Sequence, residues 1–163
     1  MRYKTPGYVR RLSDFLAEAR ISSGYESDRA VETMNAGERR LGPYVGGKFS
    51  YVDIYSGSRR FSGKEEISSE GEVVWAREYD GGIFDAKVED KAMEEVYSFL
   101  KAAMLLFPRY EPYKRGPDEF RNGEWLYTDV CKGDMVSFKG SEIVSLGGRT
   151  LYALAYGGGL IKV

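Results

Sequence analysis

The sequence predicts an α+β domain: two α-β-β-β units related by a pseudo-two-fold axis, with an antiparallel sheet of six or more strands packed on two helices. Three observations predict it. Two amphipathic helical segments stand far apart in a chain otherwise rich in alternating strands. Glycine and Asx-Gly pairs punctuate those strands at short intervals, as hairpins require. Finally, the second half repeats the first. An offset of 77 maps Phe61, Gly63, Glu65, Ser68, Gly71, Ala76, Tyr79, Gly81 and Gly82 onto identical residues. Ordinary composition gives about one or two such identities in a span this short. An offset of 76 carries Tyr51, Asp53 and Gly57 to Tyr127, Asp129 and Gly133. The one-residue slip falls in a turn, where insertions are tolerated. One domain over 1–163 is expected, with repeat units at 8–83 and 91–161.

The first helix is expected over 8–21, where Leu12, Phe15, Leu16 and Ala19 make one apolar stripe. Residues 22–48 are polar and glycine-rich and read as a long connection. Strands are expected at 49–56, 60–68 and 72–79, with Glu70-Gly71 as a hairpin turn. The second helix runs over about 91–107, capped by Asp90 and stopped by Pro108, with Val96, Phe99, Leu100 and Ala103 as its stripe. The stripes match at an offset of 84. A loop at 108–123 and strands at 124–131, 134–145 and 149–157 complete the chain. Gly157-Gly158-Gly159 and its counterpart Gly81-Gly82 read as a repeated backbone turn. No helix follows the triple glycine, so it is no phosphate loop.

Composition narrows the chemistry. With 42% hydrophobic and 14% aromatic residues, the 163-residue chain supports its own core. A net charge of −1 supplies no global field for DNA or anionic lipid. The chain has no histidine, which removes Ser-His-Asp and Cys-His systems and histidine metal ligands. Its single cysteine, Cys131, forbids an internal disulfide and reads as an inert structural thiol. The longest apolar stretch, Ala102 to Phe107, is far below the roughly 20 residues that span a bilayer. Without a secretory leader, the chain reads as cytoplasmic. No cofactor, metal site, membrane contact or direct nucleic-acid contact is expected, and Arg10-Arg11, Arg39-Arg40 and Arg59-Arg60 read as solvated surface.

Candidate site residues come from strand alternation. Val52, Ile54, Leu126 and Val130 are assigned to the helix side. The opposite face then carries Tyr51, Asp53 and Tyr55, with Trp125, Tyr127 and Asp129 in the second unit. The third strands add Trp75, Arg77 and Tyr79, matched by Tyr152 and Tyr156. Aromatic walls with a few polar groups describe a small-molecule pocket; the same residue types also serve cross-strand packing or a dimer face. Glu65 and Glu142, each after Phe-x-Gly, read as turn or edge-strand features.

The segments Phe49–Gly57, Phe61–Glu65, Val74-Trp75, Glu95–Leu100, Pro112–Pro117, Asn122–Tyr127 and Tyr156–Ile161 together resemble an uncharacterised domain family of bacteria and archaea, from about residue 12 onward. That family is classed as a domain of unknown function. It occurs alone or C-terminal to XRE-type helix-turn-helix regulators. The chain has only residues 1–7 ahead of its first helix, too few for such a reader, and its Lys114-Arg115 pair makes the Pro112–Pro117 loop one residue longer than is usual. The resemblance implies a sensor-like role and brings no catalytic residues. Three functions follow in order: a small-molecule binding or sensing domain, a homodimerisation or protein-interaction module, and a carboxylate- or metal-dependent hydrolase using Asp53, Glu65 and Asp129.

Overall fold

The computed structural model describes residues 4–25, 32–33 and 37–162. Two helices pack on one antiparallel sheet. Helix α1 (Pro6–Ser23) starts with Thr5 as N-cap, its hydroxyl accepting from the Tyr8 N–H, and Pro6 in the first turn, where a missing N–H costs nothing. The expected stripe of Leu12, Phe15, Leu16 and Ala19 is its buried face. Helix α2 (Asp90–Met104) likewise buries Val96, Phe99, Leu100 and Ala103. Its N-cap is Glu89, without a side-chain cap bond, and Asp90 is the first helical residue. It ends three residues before the expected 107: Leu106 N–H turns back to Ala103 and Phe107 N–H to Met104, ahead of Pro108.

The strands are β1 (Glu32–Thr33), β2 (Arg39–Gly46), β3 (Phe49–Gly57), β4 (Arg60–Ser69), β5 (Glu72–Gly82), β6 (Glu119–Asn122), β7 (Trp125–Gly133), β8 (Ser137–Leu146) and β9 (Arg149–Leu160). Eight have four or more residues, and β1 adds a two-residue edge. Their order is β1-β2-β3-β4-β5-β9-β8-β7-β6, with every pairing antiparallel. Each meander therefore runs inward from an edge, and the two join at β5–β9, where Tyr79 pairs with Tyr156. Among the described residues the edges β1 and β6 do not pair with each other, so hydrogen bonding leaves the sheet open there.

Three strands, β1, β2 and β6, lie where loops were expected. Strand β2 occupies part of 22–48; the rest of that segment includes positions outside the described residues. Its Gly42-Pro43 step sits in a register shift between Leu41 and Tyr44, the kind of place a sheet admits proline. Strand β6 forms at the end of the 108–123 segment, where Phe120 stacks on Phe99 at 5.3 Å. The expected glycine turn is also corrected. Gly157-Gly158-Gly159 lies inside β9, and Gly81-Gly82 ends β5. A Cβ on Gly158 would stand 2.0 Å from the Ala76 carbonyl oxygen, and one on Gly81 2.4 Å from that of Ala153. These glycines let the central strands approach closely.

Each helix covers the outer strands of its own meander. Phe15 of α1 packs on Tyr44 and Phe49, and Phe99 of α2 packs on Phe120 and Trp125. Between them, Trp75 stacks on Phe138 at the middle of the sheet. Among the described residues, no helix is long and apolar enough to cross a membrane.

Candidate functional site

Alternation put the aromatic and acidic residues on one face of the sheet, but the face is the inward one. Tyr51, Asp53, Trp75, Arg77, Tyr79, Tyr127, Asp129, Tyr152 and Tyr156 are all buried, and Tyr55 is half-buried. Val52, Ile54 and Leu126 are half-buried on the other side, and Val130 is 63% exposed. The expectation that aliphatic residues face the helices is therefore reversed. The aromatic rings supply more apolar area than Val and Ile, and their hydroxyls satisfy the acids they bury.

Two acids organise this face, and neither is a turn or edge residue. Glu65 on β4 accepts hydrogen bonds from the Tyr51 hydroxyl at 2.6 Å and from Arg77 Nη2 at 2.8 Å, and Arg77 Nε donates to its second oxygen. Arg77 Nη1 donates to the carbonyl of Tyr113. Glu142 on β8 accepts from Tyr127 at 2.7 Å, Tyr152 at 2.6 Å and Arg115 Nε at 2.8 Å. Burial alone raises a carboxyl's pKa, but at Glu65 the Arg77 charge and hydrogen bonds prevail and hold it at about 2. A buried strand carboxylate of this kind requires a buried cation. Arg77 serves Glu65 from the neighbouring strand, whereas Arg115 reaches Glu142 from the loop after α2.

A second pair of acids is reached across glycines. The Tyr79 ring lies over Gly63 of β4, where a Cβ would be 2.3 Å from the hydroxyl oxygen, and its hydroxyl donates to Asp53 Oδ1 on β3 at 2.5 Å. Tyr156 crosses Gly140 of β8 in the same way and donates to Asp129 on β7, at 2.8 Å to Oδ1 and 2.9 Å to Oδ2. The surroundings then differ. Gly116 N–H also donates to Asp129 Oδ2 at 3.2 Å. Asp53 has no such backbone donor among the described residues, and it lines a cavity. Burial, reinforced by the nearby Glu65 charge, pushes the Asp53 carboxyl up to about 8. Asp129, also desolvated but with backbone help, lies at about 6.

The cavity measures about 190 Å³ and lies between the inward sheet face and α2. Tyr55, Phe61, Tyr79 and Tyr97 give it aromatic walls, while Met93, Leu100 and Met104 of α2 cover it. Its ionisable acids and bases are Asp53, Glu65, Arg39 and Arg115. The Tyr97 hydroxyl donates to the Ser58 and Arg59 carbonyls, tying α2 to the β3–β4 turn at the rim. Of the ten residues singled out from sequence, Asp53, Tyr55 and Tyr79 line this cavity. Tyr51, Trp75, Arg77, Tyr127 and Tyr152 are core, with the Trp75 indole donating to the Met135 carbonyl at 3.1 Å. Tyr156 on β9 and Asp129 on β7 are not part of this cavity's lining.

Sequence reasoning missed Arg115, Phe61, Tyr97 and the α2 methionines. The repeat of Glu65 as Glu142 was a usable signal, because each buried acid demands a basic partner. Arg115 comes from an aperiodic loop and carried no such mark. Among the described residues, no group of three Cys, Asp or Glu side chains is placed to hold a metal ion. Cys131 is half-buried, and desolvation raises its pKa, which disfavours the nucleophilic thiolate.

A family model described as a domain of unknown function, DUF5680, matches residues 53–161. That span covers β3 from Asp53 onward, α2 and the whole second meander. No curated protein matches the chain, and no solved structure does.

Proposed function

The chain belongs to the DUF5680 family, and we propose that it is a small-molecule binding or sensing domain without catalytic activity of its own, with its site in the cavity under α2. The observation that carries this reading is the unequal treatment of two matched acids. Asp129 is closed off by a backbone donor from its own chain, while Asp53 faces an aromatic-walled cavity. A buried acid with spare hydrogen-bonding capacity in an apolar cavity is what fixes a ligand's orientation. An apolar cavity of about 150 Å³ already admits benzene, so this one takes a molecule of one-ring size.

We also infer that the chain is an internal duplication with a pseudo-two-fold axis through the Tyr79–Tyr156 pair. Several features support this. The register shifts at Ile67/Ser68 and Val144/Ser145 are equivalent at the offset of 77. The pairs Asp53↔Glu65 and Asp129↔Glu142, and Gly63↔Tyr79 and Gly140↔Tyr156, also correspond, at an offset of 76 for the aspartates and 77 for the others. On this inference the cavity is the place where one half departs from its twin, and such departures mark where function was added. A cytoplasmic setting accords with the lone thiol.

A thermal-shift screen of metabolites and one-ring fragments tests the reading. Ligand at about 100 times its Kd adds about 2.7 kcal/mol when it binds the folded state alone, a shift of several degrees for a domain of this size. Met93→Trp places an indole into the cavity from the half-buried side of α2. The expected result is saturable hits on the parent protein that Met93→Trp abolishes. Hits indifferent to Met93→Trp would place binding elsewhere.

A further inference from the structure

We propose that the cavity recognises a small aromatic carboxylate, whose carboxylate group is held by Arg115; this rests on the binding reading above and specifies its ligand class.

Three arginines are buried among the described residues: Arg20, Arg77 and Arg115. Arg77 engages all three of its nitrogens with oxygen, at Glu65 and at carbonyl groups. Arg20 spends both outer nitrogens on the carbonyls of Pro112, Lys114 and Arg115. Arg115 is 5% exposed and differs from both. Its Nε donates to Glu142, but among the described residues its outer nitrogens find no oxygen: Nη2 meets only the Met104 thioether, at 3.6 Å. A thioether is a weak acceptor. A desolvated guanidinium with donors to spare, lining an aromatic cavity, calls for an anionic oxygen ligand, and a carboxylate fits its planar fork.

The rest of the cavity agrees. The Arg115 guanidinium lies 5.0 Å from the Tyr79 ring centre, so a group bound to it sits beside Asp53, which shares Tyr79 as its partner. Asp53 Oδ2 makes no protein hydrogen bond among the described residues, and the carboxyl carries its proton at neutral pH, so it donates to a bound oxygen instead of repelling it. Among the described residues, the buried charged side chains are Arg20, Arg77 and Arg115 against Glu65, Glu142, Asp129 and Asp53. With Asp53 protonated, the two signs balance. Half-buried Arg39, its guanidinium 5.7 Å from the Tyr55 ring and its Nη1 donating to the Gly57 carbonyl, adds a positive charge at the cavity wall. The walls of Tyr55, Phe61 and Tyr97 accept a flat ring.

Calorimetric titration at pH 7 with sodium benzoate, benzamide and benzylamine tests this. These probes share a ring and differ in charge. Benzoate is expected to bind about tenfold or more tighter than either of the others. Arg115→Gln is expected to remove that preference without weakening benzamide. Should that variant fail to fold, Arg39→Gln at the half-buried wall is expected to weaken benzoate about threefold and leave benzamide unchanged. Benzamide or benzylamine binding as tightly as benzoate overturns the carboxylate class, as does binding by none of the three. The pocket reading fails separately, when the wider screen yields no hit sensitive to Met93→Trp.

Discussion

Asp53 illustrates how one side chain can oppose the fold that holds it. Its carboxyl sits at about 8 in the folded protein because burial and Glu65 disfavour its charge. In the unfolded chain it ionises near the ordinary value of about 4. The stability that its protonated form contributes is complete below about pH 4 and is lost as pH rises through about 8. Asp129, raised to about 6, acts in the same direction over a narrower window. Glu65 acts oppositely: held low, it contributes stability above the usual carboxylate range and loses it as pH falls toward 2. Asp53→Asn keeps an acceptor for the Tyr79 hydroxyl and removes the titration. Urea denaturation from pH 5 to 9 is expected to show a flatter stability profile for Asp53→Asn, with its largest relative gain at the alkaline end. At Glu142, three donors converge on one carboxylate. Glu142→Gln leaves the Arg115 charge buried without its counter-ion and is expected to cost about 3–5 kcal/mol by denaturant titration.

At the scale of elements, the glycines of the Phe-x-Gly-x-Glu segments explain much of the sheet. Gly63 and Gly140 make room for tyrosines of the next strand to cross to the acids beyond. Gly140→Ala would set a Cβ 2.2 Å from the Tyr156 ring, and overpacking at such a site is expected to cost about 1–3 kcal/mol. Gly71→Ala has space around it but a φ of 82°, so its cost is expected to come from backbone strain and to leave the Tyr79–Asp53 contact intact. Nuclear magnetic resonance of the tyrosine rings separates the two: Gly140→Ala moves Tyr156, and Gly71→Ala leaves both crossing tyrosines in place. Helix faces were legible because period 3.6 in Leu12, Phe15, Leu16, Ala19 and in Val96, Phe99, Leu100, Ala103 has one physical solution. Strand β2 was not, because Gly42-Pro43 breaks its alternation and mimics a loop. The triple glycine misled for the opposite reason: close strand approach and tight turns call for the same residue.

Over the whole molecule, the sequence reading gathered the right residues on one sheet face and then pointed that face outward. Period-2 alternation separates two faces but carries no label for which is inside. Assigning the aliphatic Val52, Ile54, Leu126 and Val130 to the helices set that label. Tertiary partners decided otherwise: Tyr79 and Tyr156 from strands two away, Arg115 and Gly116 from a loop. None of these pairings is visible in local pattern. The cavity was less legible still, because it depends on α2 of the second half covering Asp53 and Phe61 of the first. Only the long-range register, fixed by the β5–β9 pairing, brings them together. At this scale the proposed function comes to one cavity under α2, beside Asp53, lined from both halves of the chain. Crystallographic fragment soaking tests that claim most directly. Bound fragments are expected to gather between α2 and the inward sheet face, in contact with Asp53, Tyr79 and Arg115. A structure in which those side chains close the space on themselves, with fragments gathered elsewhere, would contradict it.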